Sequence, residues 1–202
     1  MNYKYLFFND YSEGAHPTIL QALQQTNLVQ EAGYGEDSIC KNAAKLIREK
    51  IENSNADIHF VSGGTQANLI VLSSLLKPYE SVIAAGTGHI SVHEAGAIEA
   101  TGHKINVIPT KNGKITADQV QTVCDEHSDE HMVKPRVVFI SNSTEVGTIY
   151  LKKDLQDLSA VCKKNSLYLY LDGARLGSAL MSDGFDMSLT EMSSFVDVFY
   201  IG

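Results

Sequence analysis

The chain has no tryptophan, four prolines and three cysteines among its 202 residues, and it has no excess of positive charge. Sixteen Lys and Arg against 24 Asp and Glu leave a net charge of −8, which excludes the basic face that nucleic-acid phosphates require and disfavours an anionic membrane surface. No stretch reaches the ~20 apolar residues that span a bilayer. The opening run Met1–Phe8 is too short in apolar residues for a secretory leader, so a cytoplasmic protein is expected. Cys40, Cys124 and Cys162 are odd in number and widely spaced, which excludes a disulfide framework and the C-x-x-C redox and zinc patterns. A nucleophile elbow of G-x-S-x-G type is missing, and so is the P-loop spacing. Gly86–Ser91 mimics the dinucleotide fingerprint but has Ser91 where the third glycine belongs, which excludes NAD. His93 and Glu94 begin like a zinc-protease helix, yet Ala97 stands where the second His is needed. The charged run Asp125–His131 reads as a solvated loop, and no metal site is expected.

What remains is a globular composition, 44% apolar and 20% charged, enough for one sizeable core. Residues 1–36 hold few strand signals and read as an arm with a short helix after His16-Pro17; residues 37–202 read as the main domain. Asp37 or Ser38 can cap a helix running to about Asn53, because Ile39, Ala43, Leu46, Ile47 and Ile51 recur at helical spacing. Beyond it, predicted strands (Ile58–Val61, Ser81–Ala85, Lys104–Pro109, Arg136–Ser141, Leu167–Leu171, Val198–Ile201) alternate with predicted helices. The helices are Gln66–Leu76, His93–Ala100, Thr116–Glu126, Leu151–Lys164 and Leu176–Ser182. That alternation predicts an α/β fold, a mostly parallel sheet flanked by helices with right-handed crossovers.

Four strand ends carry polar chemistry. Leu167–Leu171 is an unbroken apolar and aromatic run, as in strands covered on both faces, and it delivers Asp172 and Arg175 at its carboxyl edge. An Asp there can face a ring nitrogen or a metal, and an Arg can grip a carboxylate in bidentate fashion. On the residues alone, Asp172 can equally cap the next helix while Arg175 joins a surface ion pair. Ser62–Asn68 follows a strand and opens a helix, so Gly64 and Thr65 can offer backbone N–H groups and a hydroxyl to a phosphate; an ordinary glycine turn fits the same letters. His89 lies just past a strand end, where a flat imidazole can stack on a planar ring or simply pack. Asn142 and its neighbours offer amide and hydroxyl groups at another strand end. Together these groups suit a planar, phosphorylated, nitrogen-containing cofactor.

The stretches Asn9-Asp10, Tyr34–Asp37, Ser62–Thr65, Gly88–Ile90 with Glu94–Gly96, Ser141–Ser143 and Leu171–Arg175 resemble the threonine aldolase and aromatic amino acid β-eliminating lyase family, in the family's order and over nearly the whole chain. That family depends on pyridoxal 5'-phosphate and has the aspartate aminotransferase-like (type I) fold. The resemblance implies that Gly64, Thr65 and Asn142 bind the cofactor, that His89 stacks on the pyridine ring and serves proton transfer, and that Asp172 pairs with the pyridinium nitrogen. It assigns Asn9 and Arg175 to the substrate carboxylate. The implied activity is that of a low-specificity threonine aldolase, cleaving β-hydroxy-α-amino acids to glycine and an aldehyde. Alternatives are β-elimination from aromatic or thiol amino acids, decarboxylation, or a domain that keeps the fold without catalysis. The resemblance also implies a homodimer or homotetramer.

Two departures from the pattern imply a variant subfamily. Asn9 stands where the aldolases have Ser, followed by Tyr11–Pro17 in place of a Thr-rich run, and the phosphate turn reads Gly63-Gly64-Thr65-Gln66-Ala67-Asn68. The family's cofactor-bearing Lys follows a strand and a short Gly/Ser/Thr turn. Val198–Gly202 resembles that strand, and none of the chain's lysines lies in that context. The chain is therefore expected to be most of a large domain, truncated before the covalent anchor and the small C-terminal domain.

Overall fold

The computed structural model describes residues 9–11 and 13–202, so Met1–Phe8 and Ser12 lie outside the described residues. The chain divides into two compact units, Met1–Asn42 and Ala43–Gly202. In the first unit, helix α1 (Pro17–Thr26) starts where expected: Pro17 sits at its first turn, and the His16 ring accepts the Thr18 N–H at 3.3 Å. Helix α2 (Ser38–Lys50) is anchored by Asp37, whose Oδ1 accepts the Cys40 N–H at 2.7 Å, and it carries the chain into the second unit.

The second unit is built on five parallel strands, β1 (Glu80–Ala85), β2 (Lys104–Ile108), β3 (Lys134–Ser141), β4 (Tyr168–Asp172) and β5 (Val198–Phe199), in the spatial order β2-β1-β3-β4-β5. The connections run through helices α3 (Gly64–Leu75, before β1), α4 (His89–Val92), α5 (Ala97–Ala100), α6 (Ala117–Glu126), α7 (Lys152–Lys164), α8 (Leu176–Leu180) and α9 (Leu189–Phe195). The α/β class and parallel sheet expected from the alternating pattern are present.

Successive side chains on a strand point to opposite faces, and two separate cores follow from that rule. Ile83, Ala85, Val138, Ile140, Leu169 and Leu171 pack with Val120 of α6 and Leu155 and Leu158 of α7. Their neighbours Val82, Ala84, Val137, Phe139 and Tyr170 pack with Leu72 of α3, Ile90 of α4 and Ile98 of α5. Tyr170 sits opposite Phe139 in the β3–β4 ladder, its ring meeting Phe139 edge-on at 5.5 Å. Asp172, two residues on, shares the face of Tyr170 toward α3.

Three expectations need correction. Ile58–Val61 is not part of the sheet: it forms no strand pairing and faces a cleft of about 1050 Å3 that Val198–Gly202 also lines. Of the predicted helix His93–Ala100 only Ala97–Ala100 (α5) is helical: α4 ends before it at Val92, and Ala95 (φ 51°) and Gly96 (φ 75°) are left-handed residues that cannot continue a helix. Helix α9 is not anticipated, although Ser188 and Glu191 form a reciprocal capping box at its start.

Between β3 and α7 the chain is braced from within the core. Tyr150 is 1% exposed and its hydroxyl accepts the Ile115 N–H at 2.8 Å. Burial pushes the phenol pKa well up, so it stays neutral. Tyr150→Phe leaves that buried N–H unpaired and is expected to lower stability by about 1–3 kcal/mol, read as a lower urea midpoint at unchanged m-value.

Candidate active site

The strand order reverses at β1, with β2 on one side and β3 on the other; in parallel sheets ligands bind in the crevice beyond the carboxyl ends at such a switch point. The predicted site residues of the larger unit fall at this edge or at the α3 terminus. Asp172 is the last residue of β4 and is 3% exposed. Its Oδ1 accepts the Ala174 N–H at 3.0 Å, while Oδ2 is buried with no hydrogen-bond partner among the described residues. Leaving half a buried carboxylate unsatisfied is costly unless a partner arrives. Asp172 does not cap α8, whose N-cap Arg175 receives no side-chain capping bond; its Oδ1 holds the turn ahead of that helix instead.

His89 opens α4 just past β1. Its Nδ1 stands 2.9 Å from Oε1 of Glu94, whose side chain is fully buried. Helix α4 ends at Val92, and the non-helical His93 (φ −124°) carries the chain to Glu94, which lies beside the imidazole. The His89 N–H donates to Glu145 Oε1 at 2.9 Å, and Ser141 Oγ donates to the same oxygen at 2.7 Å. Glu145 thus ties the carboxyl end of β1 to that of β3. The His93 ring stands 5.6 Å from the His89 ring and is exposed.

Gly64 and Thr65 form the first turn of α3, which begins with no side-chain cap and no acidic residue. Uncapped N–H groups at a helix start favour an anion. Gln66 instead folds back, its Oε1 accepting from the Ser62 N–H at 2.8 Å and the Ser62 hydroxyl at 2.9 Å. A Cβ at Gly64 would come 2.7 Å from the Tyr200 hydroxyl, so any larger residue there would have to displace the phenol. Burial, then the Asp172 charge and the approach of the phenol to the Asp172 carboxylate, push the Tyr200 pKa far up; the phenol lies beside that carboxylate and the α3 turn, without the geometry of a hydrogen bond to Oδ2.

Asn142 is fully buried beside Asp172, its N–H donating to the Asp172 carbonyl at 3.1 Å. Its side-chain amide pairs with the backbone of Tyr150, accepting the N–H at 3.1 Å and donating to the carbonyl at 3.3 Å. Arg175, half-buried, precedes α8 three residues after Asp172. Asn9 belongs to the N-terminal unit, where its Oδ1 accepts the Tyr11 N–H at 3.0 Å. Asp129, Glu130 and His131 bring ligand atoms within 4.8 Å of one another, all exposed, as a solvated acidic loop does. The residues that sequence reasoning gave no role are Asn68, Glu94, Glu145, Tyr170 and Tyr200, and only contacts across the fold reveal them.

A family model described as beta-eliminating lyase matches residues 11–202. The low specificity L-threonine aldolase of Pseudomonas aeruginosa is 33% identical over 198 residues, covering 97% of this chain and 57% of that protein. A solved structure of Leishmania major threonine aldolase superposes with a TM-score of 0.95 at 54% identity, over 96% of this chain and 57% of that one. A putative L-allo-threonine aldolase from Listeria monocytogenes shares the fold, with a TM-score of 0.72 at 22% identity over 93% of this chain and 52% of that one. The chain thus spans 57% of the length of the Pseudomonas aeruginosa relative it matches.

Proposed function

The chain belongs to the beta-eliminating lyase family, and we propose that it forms the cofactor-binding part of a pyridoxal-phosphate-dependent carbon–carbon lyase. The reaction is cleavage of β-hydroxy-α-amino acids such as threonine to glycine and an aldehyde. The observation that carries this reading is the buried, unpartnered Oδ2 of Asp172 at the carboxyl edge of β4. The residues fit the cofactor: a carboxylate for a protonated ring nitrogen, an uncapped helix start with a glycine and a hydroxyl for a phosphate, and an imidazole between them in chain order.

When bound, pyridoxal phosphate supplies an electron sink for a carbanion at the substrate α-carbon. Asp172 acts by keeping the ring nitrogen protonated, which an ionised carboxylate in a dry site does strongly. Gly64 and Thr65 hold the phosphate through first-turn N–H groups and the Thr65 hydroxyl. Asn142, with both polar atoms of its amide engaged by Tyr150, serves the cofactor by bracing the strand end next to Asp172. Arg175 takes the substrate carboxylate, the guanidinium fork fixing the orientation of the α-carbon bonds. His89, with Nδ1 turned to Glu94, presents Nε2 as the proton acceptor for the β-hydroxyl.

Likeness to threonine aldolases favours the aldol cleavage, and membership of the beta-eliminating lyase family favours β-elimination, for which aromatic or thiol amino acids are the proposed substrates, as the second reading. Incubating a protein that carries this chain together with the family's cofactor-bearing Lys, and pyridoxal phosphate, with L-threonine, L-tyrosine and L-cysteine separates them. Glycine and acetaldehyde from threonine are expected. Pyruvate from tyrosine or cysteine, without glycine from threonine, supports elimination, and no turnover of any of the three contradicts both. A homodimer or homotetramer is proposed as well, since α1 buries no residue and exposes Ile19, Leu20 and Leu23. The described cysteines are all free, which suits a reducing, cytoplasmic setting.

A further inference from the structure

The side chains behind His89 form one continuous buried chain. Tyr170 Oη donates to Asn68 Oδ1 at 2.7 Å, Asn68 Nδ2 donates to Glu94 Oε1 at 2.6 Å, and that same oxygen meets His89 Nδ1 at 2.9 Å. Asn68 and the Glu94 carboxyl group are fully buried, as is Tyr170, while His89 remains about one-third exposed toward the strand-end crevice. The polarity of this chain follows from chemistry. Asn68 turns its NH2 toward Glu94 and its carbonyl toward Tyr170, so Glu94 Oε1 is the acceptor in that bond. Tyr170 must then donate, and burial, which pushes its pKa far up, keeps the proton on the phenol. The end of the chain is His89, whose Nδ1 must carry a proton to satisfy Glu94.

We propose that Asn68 and Tyr170 are positioning residues that orient Glu94 and thereby lock His89 as the Nδ1–H tautomer, leaving Nε2 to accept a proton from a bound ligand. The inference deepens the lyase reading and rests on it for the identity of that ligand; the lock itself is a property of this chain. Without Tyr170 the buried Asn68 carbonyl loses the donor that anchors it, so the amide is held by Glu94 alone and can shift, which weakens the hold of Glu94 on Nδ1. The other groups facing His89 do not replace the lock. Glu145 accepts from the His89 backbone N–H rather than the ring, and the His93 ring lies 5.6 Å away.

The test is the 15N spectrum of the imidazole nitrogens in histidine-labelled full chain, recorded without cofactor and assigned with His89→Gln. Wild type is expected to show His89 with Nδ1 protonated and Nε2 bare near neutral pH. Tyr170→Phe, isosteric and therefore able to fold, and Asn68→Ala are each expected to bring in the Nε2–H tautomer as a substantial fraction. In the cofactor-loaded protein the same variants should lower kcat roughly tenfold with little change in KM, the pattern of a weakened base, with the pH–rate profile displaced. A wild-type His89 found as Nε2–H, or a spectrum unchanged in Tyr170→Phe, overturns the proposal. A wild type that shows the locked tautomer yet turns over no amino acid would sink the lyase reading and leave the lock standing.

Discussion

Asp172→Ala is expected to reduce turnover of threonine by about 10²–10³-fold, the usual scale for removing one preorganised electrostatic partner of a developing charge. Binding of pyridoxal phosphate should weaken far less, because the α3 turn and its phosphate contacts are untouched. The reasoning is local. Asp172 is 3% exposed, holds one oxygen in place through the Ala174 N–H, and keeps Oδ2 buried and unsatisfied. Such a group costs stability in the empty protein, so the alanine variant should unfold at an equal or higher denaturant concentration in the absence of cofactor. Lower activity together with undiminished stability marks a functional residue; equal activity in the variant removes the electron-sink role from this position.

Gly173→Ala, one residue on, should act on the fold instead. A Cβ built there overlaps the Tyr200 carbonyl oxygen and comes within 3.1 Å of the Tyr200 carbonyl carbon and 3.2 Å of Leu176 Cβ. The obstacle is backbone, held because the Gly202 N–H donates to the Gly173 carbonyl at 3.1 Å and the Tyr200 N–H to the Leu171 carbonyl at 3.3 Å. Backbone cannot swing away as a long side chain can, so the cost should reach the upper part of the about 1–3 kcal/mol typical of overpacking. The separation of β5 from β4 would also displace Tyr200 from the α3 turn. Gly177→Ala is the control: nothing lies within 4 Å of its added Cβ, and it sits inside α8. There alanine should be neutral or stabilising by up to about 1 kcal/mol. Urea midpoints of the two variants that coincide would contradict this account of the β4–β5 junction.

Much of the scaffold is legible in the letters because it is governed by local periodicity. The apolar run ending at Asp172 announces a doubly covered strand, and Thr116 with Gln119 announces the start of α6, where the reciprocal cap is present. Ile58–Val61 has the composition of a strand, but a ladder needs a neighbour, and composition says nothing about whether one is there. The stretch His93–Ala100 reads as helix because Ala, Ile and Glu favour it, yet the left-handed pair Ala95 and Gly96 breaks it, and Glu94, ahead of that break, meets His89 outside any helix. Gly96 was the available signal. The Ser188–Glu191 capping box was likewise in plain view at α9.

The chemistry-bearing residues divide in the same way. Asp172, His89 and Gly64 stand at strand and helix ends, where sequence order alone places them. Asn68 and Tyr170 meet across 102 positions of sequence, and Asn68 and Glu94 across 26. Their meeting depends on alternate faces of β4 and on the placement of α3 against Val137 and Phe139, which no motif encodes. Asn142 shows the converse: its position at a strand end suggests a ligand contact, while its amide is spent on the Tyr150 backbone.

The central claim is that Asp172 faces and charges the ring nitrogen of pyridoxal phosphate. Its most direct test is the 15N chemical shift of ring-labelled pyridoxal phosphate bound to the full chain, compared with the same cofactor bound to Asp172→Ala. A protonated ring nitrogen in the wild type that becomes unprotonated in the variant at neutral pH is the predicted result. An unprotonated nitrogen in the wild type, or the same shift in both proteins, would contradict it.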